Sequence, residues 1–102
     1  MTEISTAYQN NRVGPVMRHG DLAVAVAEAA QIDNPGRTIA IADKIAYLRI
    51  ETDDELVLTR ETIEELLGRP FAMSDLEVEL ASFAGRIDTT NDRVRFYYAT
   101  HL

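Results

Sequence analysis

His19 and His101 are the only imidazoles in this chain, and no cysteine accompanies them. A transition-metal centre needs three or four nitrogen, sulfur or carboxylate donors converging on one point, and two histidines, one of them the penultimate residue, do not supply that set. Carboxylates are more plentiful. Asp53-Asp54-Glu55 and Glu61-Glu64-Glu65 form clusters, but the first lacks the alternating oxygen ligands and fixed glycine of a calcium loop. Solvated turn and helix faces account for both. Serines and threonines occur without a neighbouring histidine to activate them, and the five glycines are dispersed, so neither a nucleophile-base pair nor a phosphate-cradling loop is written. One carboxylate in an apolar pocket could still move a proton, which keeps a minimal acid-base enzyme open as an alternative.

Two segments carry a different kind of information. In Ser82-Phe83-Ala84-Gly85, small residues surround one aromatic, and a glycine inside a strand pattern signals a bulge or a close backbone approach. Phe83 is either a core residue beside a kinked strand or the anchor of a docking ridge whose small neighbours let a partner come near. The polar run Gln9-Asn10-Asn11 likewise reads as a plain terminus or as a segment ordered on binding.

The elements that must position these residues follow from composition and periodicity. The 102 residues, 46% of them apolar, suit one domain with a core that needs no disulfide. A charge of −7 and a pI near 4.7 disfavour nucleic acid as a partner. Nine of the ten cations are arginine, which suits carboxylate recognition in protein contacts or reflects drift in a GC-rich genome. No basic run precedes an apolar one at the N-terminus, and no stretch approaches the ~20 apolar residues of a membrane span. The expectation is a cytoplasmic protein without a membrane segment.

Residues 1–11 are polar and aperiodic and are expected to form a mobile arm, with a single α+β domain over residues 12–102. Val13, Val16 and Met17 make a short first strand, and Pro15, tolerated mainly at a sheet edge or strand end, suggests that it is peripheral. Gly20-Asp21 then starts an alanine-rich helix running to Ile32, with Leu22, Ala25, Val26, Ala29 and Ala30 on one face. Asn34-Pro35-Gly36-Arg37 has type II turn chemistry. A hairpin follows, with Ile39 and Ile41 on one strand and Ala46, Leu48 and Ile50 on the other, and then a strand holding Leu56 and Leu58. Thr59 caps a helix bearing Ile63, Leu66 and Leu67 that Gly68 ends. Ser74 and Glu77 make a capping box, stapled by Met73 and Val78, for a further short helix. That helix gives way, at a boundary the pattern leaves open, to a strand over Ala81 to Ile87. Asp88 to Asp92 is a hairpin loop before a closing strand with Val94, Phe96 and Tyr98. The result is a compact α+β domain of two strand-helix-strand-strand-like units built on antiparallel hairpins.

With these residues in place, the chain resembles the small cofactorless effector, or coupling, proteins of bacterial multicomponent diiron monooxygenases, most closely the toluene and xylene branch. The likeness runs from Asn10 to about Tyr98. It includes Asn10-Asn11 with Val13-Gly14-Pro15, Gly20-Asp21-Leu22, Ile32 to Gly36, Ala46-Tyr47, Leu58-Thr59-Arg60, Leu67 to Phe71, Leu80 to Gly85, and Arg95-Phe96-Tyr97.

The resemblance implies a non-catalytic component with no cofactor that binds the catalytic large subunit of a diiron hydroxylase near its active site. It implies that binding shifts the hydroxylase's conformation so that oxygen activation stays coupled to aromatic hydroxylation. Electrons would come through a Rieske-type ferredoxin and a flavin reductase. The hydroxylase-binding residues it implies are Asn10, Asn11, Glu79, Ala81, Ser82, Phe83, Ala84 and Gly85, on a protein that is monomeric when free. In the methane-oxidising branch the positions matching Glu79 to Gly85 are mostly small and polar, and Phe83 departs from that. A small acidic module for an unrelated partner remains the competing reading.

Overall fold

The computed structural model describes residues 11–99. Asn10 and the rest of the expected arm before Asn11, together with His101, lie outside them. Seven strands and three helices run through the described residues in the order β1 (Arg12–Arg18), α1 (Asp21–Asp33), β2 (Ala40–Asp43), β3 (Tyr47–Asp53), β4 (Glu55–Thr59), α2 (Arg60–Leu67), α3 (Met73–Glu79), β5 (Leu80–Ala84), β6 (Arg86–Thr89) and β7 (Arg93–Tyr97). This is the expected small α+β domain with antiparallel pairing throughout.

The strands form two sheets, ordered β2-β3-β1-β5 and β4-β7-β6. β1 therefore lies inside its sheet, which corrects the peripheral position that Pro15 suggested. Its ladder to β3 is paired at Arg12, Val13, Val16, Met17 and Arg18, and the interruption falls on Gly14 and Pro15, so the missing proline N–H leaves no donor wanting. Val13, Pro15 and Met17 are fully buried, which holds β1 inside the sheet. Gly14 makes the approach possible. At φ 141°, a Cβ placed on it would sit 1.9 Å from the Ile50 carbonyl oxygen.

Two residues with positive φ pass the chain from one sheet to the other. Asp54, at φ 70°, separates β3 from β4, and Gly85, at φ 87°, separates β5 from β6. The continuous strand expected over Ala81 to Ile87 is thus broken at Gly85, because its two halves serve different sheets. A Cβ on Gly85 would come within 2.6 Å of Val13 Cγ1 and 2.8 Å of the Tyr97 carbonyl oxygen, so glycine is required where the sheets converge.

Helix α1 buries Leu22, Ala23, Ala25, Val26, Ala27, Ala29 and Ala30, and its small side chains allow close packing on α2 and β4. Leu48, Ile50, Leu56, Leu58, Ile63, Leu76, Val94 and Phe96 complete one continuous core. The type II turn forms as expected, with Arg37 N–H donating to the Asn34 carbonyl at 3.2 Å and Gly36 at φ 84°. The Thr59 hydroxyl accepts the Thr62 N–H, and Gly68, left-handed at φ 73°, returns its N–H to the Glu64 carbonyl. The Ser74 capping box does not form. α3 begins two residues earlier, capped at Ala72, because that register buries both Phe71 and Met73 and leaves the expected staple partner Val78 in solvent.

Candidate partner-binding surface

Register decides which way each β5 side chain faces. Directly paired residues of antiparallel strands share a face, so Pro15 opposite Phe83 and Met17 opposite Leu80 put Phe83 and Leu80 on the core side. Phe83 lies on the sheet's edge, 41% exposed, with its ring centroid 5.9 Å from that of Phe96 at a 53° tilt. It is a half-open lid on the core. Val16 opposite Ser82 and Gly14 opposite Ala84 put Ser82 and Ala84 on the outer face. The register shifts between Val16 and Met17, leaving Ala81 as the extra residue of a bulge.

The same rule traces that outer face across all four strands. Ala40 and Ala42 from β2, Tyr47, Arg49, Glu51 and Asp53 from β3, and Arg12, Gly14, Val16 and Arg18 from β1 join Ser82 and Ala84. The helices pack on the opposite side, with the core, and no described helix covers this one. The middle of β1 and β5 presents the small residues Gly14, Val16, Ser82 and Ala84, while β3 carries charge through the face: Arg12 lies 3.8 Å from Glu51 and 3.9 Å from Asp53, and Arg49, between Val16 and Ala42, lies 3.9 Å from Glu51. At 3.8–3.9 Å, and with Glu51 only 19% exposed, these are loose, partly exposed pairs that hold little stability and can re-pair with another protein's charges.

The other expected site residues spread along the sheet. Asn11 sits at the Gly85 end, where its side-chain amide donates to the Asp54 carboxylate and its carbonyl accepts the Asp54 N–H at 3.0 Å. Glu79 ends α3 at the opposite end. It lines an open cleft of about 420 Å³ with Arg18, Asp21, Arg69, Phe71 and Asp75 among its walls, and an Arg69–Asp21 contact of 3.3 Å closes part of that cleft. Ser82 and Ala84 thus share the outer face, Asn11 and Gly85 lie at the same end of the sheet with Gly85 turned toward Val13, and Phe83 turns inward while Glu79 stands apart.

Sequence reasoning missed two clusters. Asp33 and Asn34, at the end of α1, stitch that helix to the β4–α2 junction. Asp33 accepts the Thr59 N–H at 2.8 Å and the Thr62 hydroxyl at 2.7 Å. Asn34, buried, donates to the Ala30 and Val57 carbonyls at 2.7 and 2.8 Å and accepts the Val57 N–H at 2.9 Å. The second cluster is the β2–β3 turn, where Asp43 accepts the Ile45 N–H at 2.8 Å and stands 3.4 Å from His19 Nε2. The Ile45 amide, and secondarily His19, holds the Asp43 carboxyl below its ordinary range. Among the described residues no group of three or more metal-ligating side chains converges, and no helix is long and apolar enough to cross a membrane.

Comparison with known proteins places this architecture. The model of the MmoB/DmpM family matches residues 11–97. This chain belongs to the MmoB/DmpM family. It is 46% identical over 88 residues to the effector subunit of the alkene monooxygenase system of Xanthobacter autotrophicus, covering 86% of this chain and 87% of that one. It is 36% identical over 73 residues to the stimulatory component DmpM of phenol 2-monooxygenase from a Pseudomonas species, covering 72% and 79%. Among solved structures, a chain of a phenol hydroxylase–regulatory protein complex superposes with a TM-score of 0.75 at 31% identity, over 86% of this chain and 99% of that one. The regulatory protein B of soluble methane monooxygenase, 24% identical with a TM-score of 0.67, shares the fold over 87% of this chain and 66% of its own. This MmoB/DmpM chain is accordingly an effector of a multicomponent monooxygenase, a regulatory component and not its catalyst.

Proposed function

We propose that this effector binds the catalytic large subunit of a diiron hydroxylase through the outer face of the four-stranded sheet, with Ser82 and Ala84 of β5 at the centre of contact. The observation that carries this reading is a sheet face that no described helix covers, with small side chains along β1 and β5 and ion pairs between β1 and β3, and its edge strand holds the stretch that the resemblance implies for contact. The neighbour of TM-score 0.75 comes from a complex of a hydroxylase with its regulatory protein, which supports the same kind of partner. Small residues let the sheet backbone come close to the hydroxylase, so a modest face makes many contacts. Asn10, Asn11, Ala81 and Gly85 extend the contact at its rim, and Glu79 and Phe83 bear on it from the flanks.

The effector works by unequal affinity. A ligand shifts a conformational equilibrium only by the difference in its binding to the two states, and a preference of about 100-fold, roughly 2.7 kcal/mol, turns a ratio of one to ten into ten to one. The favoured hydroxylase state spends electrons delivered by a Rieske-type ferredoxin and a flavin reductase on hydroxylation and not on peroxide or water. The setting is the cytoplasm and the substrate an aromatic hydrocarbon of the toluene or xylene type. The 46% identity to an alkene monooxygenase effector supports a second reading, in which the hydroxylase takes an alkene.

The test is titration of this protein into its own reconstituted hydroxylase and electron-transfer chain, with product and consumed NADH measured together on toluene and on propene. Product per NADH should rise and saturate, and the better substrate separates the two readings. An unchanged ratio on both substrates overturns the proposal.

A further inference from the structure

The turn joining β2 to β3 holds the most exposed large apolar side chain among the described residues, Ile45, which is 91% accessible. Its backbone is unusual as well. Ile45 has φ 72°, and the Ala46 N–H donates to the Lys44 carbonyl at 2.8 Å, which makes Ile45 the centre of a γ-turn of the rare, strained hand. A β-branched residue at positive φ is a true outlier, and glycine, asparagine or aspartate would take this position at less cost.

The strained tip is also braced. Asp43 accepts the Ile45 N–H, and the Lys44 N–H donates to the Tyr47 carbonyl at 2.8 Å. The His19 N–H donates to the Ala46 carbonyl at 2.9 Å, and the His19 ring faces Asp43. The side chain is therefore held out rigidly, without contributing to the core. A rigid apolar projection loses little entropy on binding, which is what an interface anchor requires.

Position and charge indicate what it enters. Tyr47, two residues on, lies on the outer face opposite Arg18, so the tip is a corner of the surface proposed to meet the hydroxylase. Arg18, paired with Tyr47, His19, bonded to the Ala46 carbonyl, and the adjacent Lys44 gather at this turn on a chain whose net charge is −7, and the turn's own carboxylate, Asp43, is already engaged by the Ile45 amide and His19. Lys44 is the chain's single lysine.

We infer that Ile45 is a preformed anchor that inserts into an apolar socket with a carboxylate rim on the hydroxylase, next to the area covered by the outer sheet face. The inference rests on the proposed hydroxylase partnership and adds a second contact point to it, far from β5 in sequence.

Calorimetric titration of the hydroxylase with wild-type protein and with Ile45→Gly, Ile45→Asn and Lys44→Glu tests this, alongside melting curves. Ile45→Gly removes the projection and the strain together, so the melting temperature should rise by about 4 °C while affinity falls about 20-fold. Ile45→Asn keeps a residue tolerant of positive φ and should lose affinity to a similar extent. Lys44→Glu should weaken binding at low salt and recover as ionic strength rises. Ile32→Ala, at an exposed position on α1, should leave affinity unchanged. Wild-type affinity in both Ile45 variants overturns the anchor while leaving the partnership intact. Failure of the wild-type protein itself to bind the hydroxylase removes both.

Discussion

Substitution of Phe83 and of its neighbour Ser82 should have opposite consequences, because register turns one side chain to the core and the other to the outer face. A phenylalanine buries about 150–250 Å² when fully enclosed. At 41% exposure, about three-fifths of that, or about 120 Å², is withdrawn from water against Pro15 and Phe96. At ~25 cal/mol per Å² this contributes about 3 kcal/mol, and allowing for the β-carbon that alanine keeps and for a partly compact unfolded chain leaves about 2 kcal/mol. Phe83→Ala should therefore lower the melting temperature by about 8–16 °C. Ser82→Tyr adds its bulk on the exposed face and should alter stability by less than about 0.5 kcal/mol. It should nevertheless reduce hydroxylase affinity at least ~10-fold, by holding the sheet away from its partner. Thermal melts followed by circular dichroism and hydroxylase titration by calorimetry separate the two. If Phe83→Ala melts like the wild type yet no longer binds, Phe83 is an anchor and the packing argument is wrong. If Ser82→Tyr binds normally, the outer face is not the docking surface.

Gly14→Ala should abolish folding, because its Cβ would sit 1.9 Å from the Ile50 carbonyl and parting β1 from β3 costs on the order of 5 kcal/mol, comparable to a small domain's whole stability. Loss of the cooperative melt is the expected readout. Asn34→Ala leaves the Ala30 carbonyl and both polar groups of Val57 short of partners and should cost about 2–4 kcal/mol, seen as a lower urea midpoint at unchanged slope. Asp43 has its carboxyl lowered chiefly by the Ile45 amide, so in His19→Ala an NMR titration should still find it below the ordinary carboxylate value. Since the folded pKa is the depressed one, the turn's contribution is present above the unfolded value and is lost only as pH falls through the folded one.

The local features of this fold were readable because each is written in a few adjacent residues. The alanine-rich face of α1, the Thr59 and Gly68 caps of α2 and the Asn34–Arg37 turn all form where spacing and composition placed them. What failed was everything set by partners distant in the chain. Pro15 points to an edge until Gly14 is seen against Ile50. The Ser74 box fails because burying Phe71 and Met73 fixes the helix start. The bonds of Asp33 and Asn34 to Val57 and Thr59 cross 23 and 26 residues, and no local pattern encodes them. In the candidate site, the stretch Glu79 to Gly85 came from resemblance, and which of its side chains face outward depends on pairing with β1. One residue of slippage would exchange Ser82 and Phe83.

The contacts that anchor the four-stranded sheet also suit it to regulation. An effector that acts by unequal binding must make the hydroxylase, and not itself, absorb the difference between two conformations, since a pliable surface would follow both states and discriminate neither. β1, which carries the middle of the outer face, is pinned on both sides: by Gly14 against the Ile50 carbonyl, and by pairing with β5, whose following Gly85 is packed against Val13 and Tyr97. The two crossings between sheets, Asp54 and Gly85, lie at the same end, where Asp54 donates its N–H to Asn11 and accepts that of Tyr98. Movement of β5 relative to the second sheet therefore has to break contacts at a glycine that has no spare room. The strand that would present Ser82 and Ala84 is thus tied down at its Gly85 end, and the cost of a misfit there falls on the larger protein it meets.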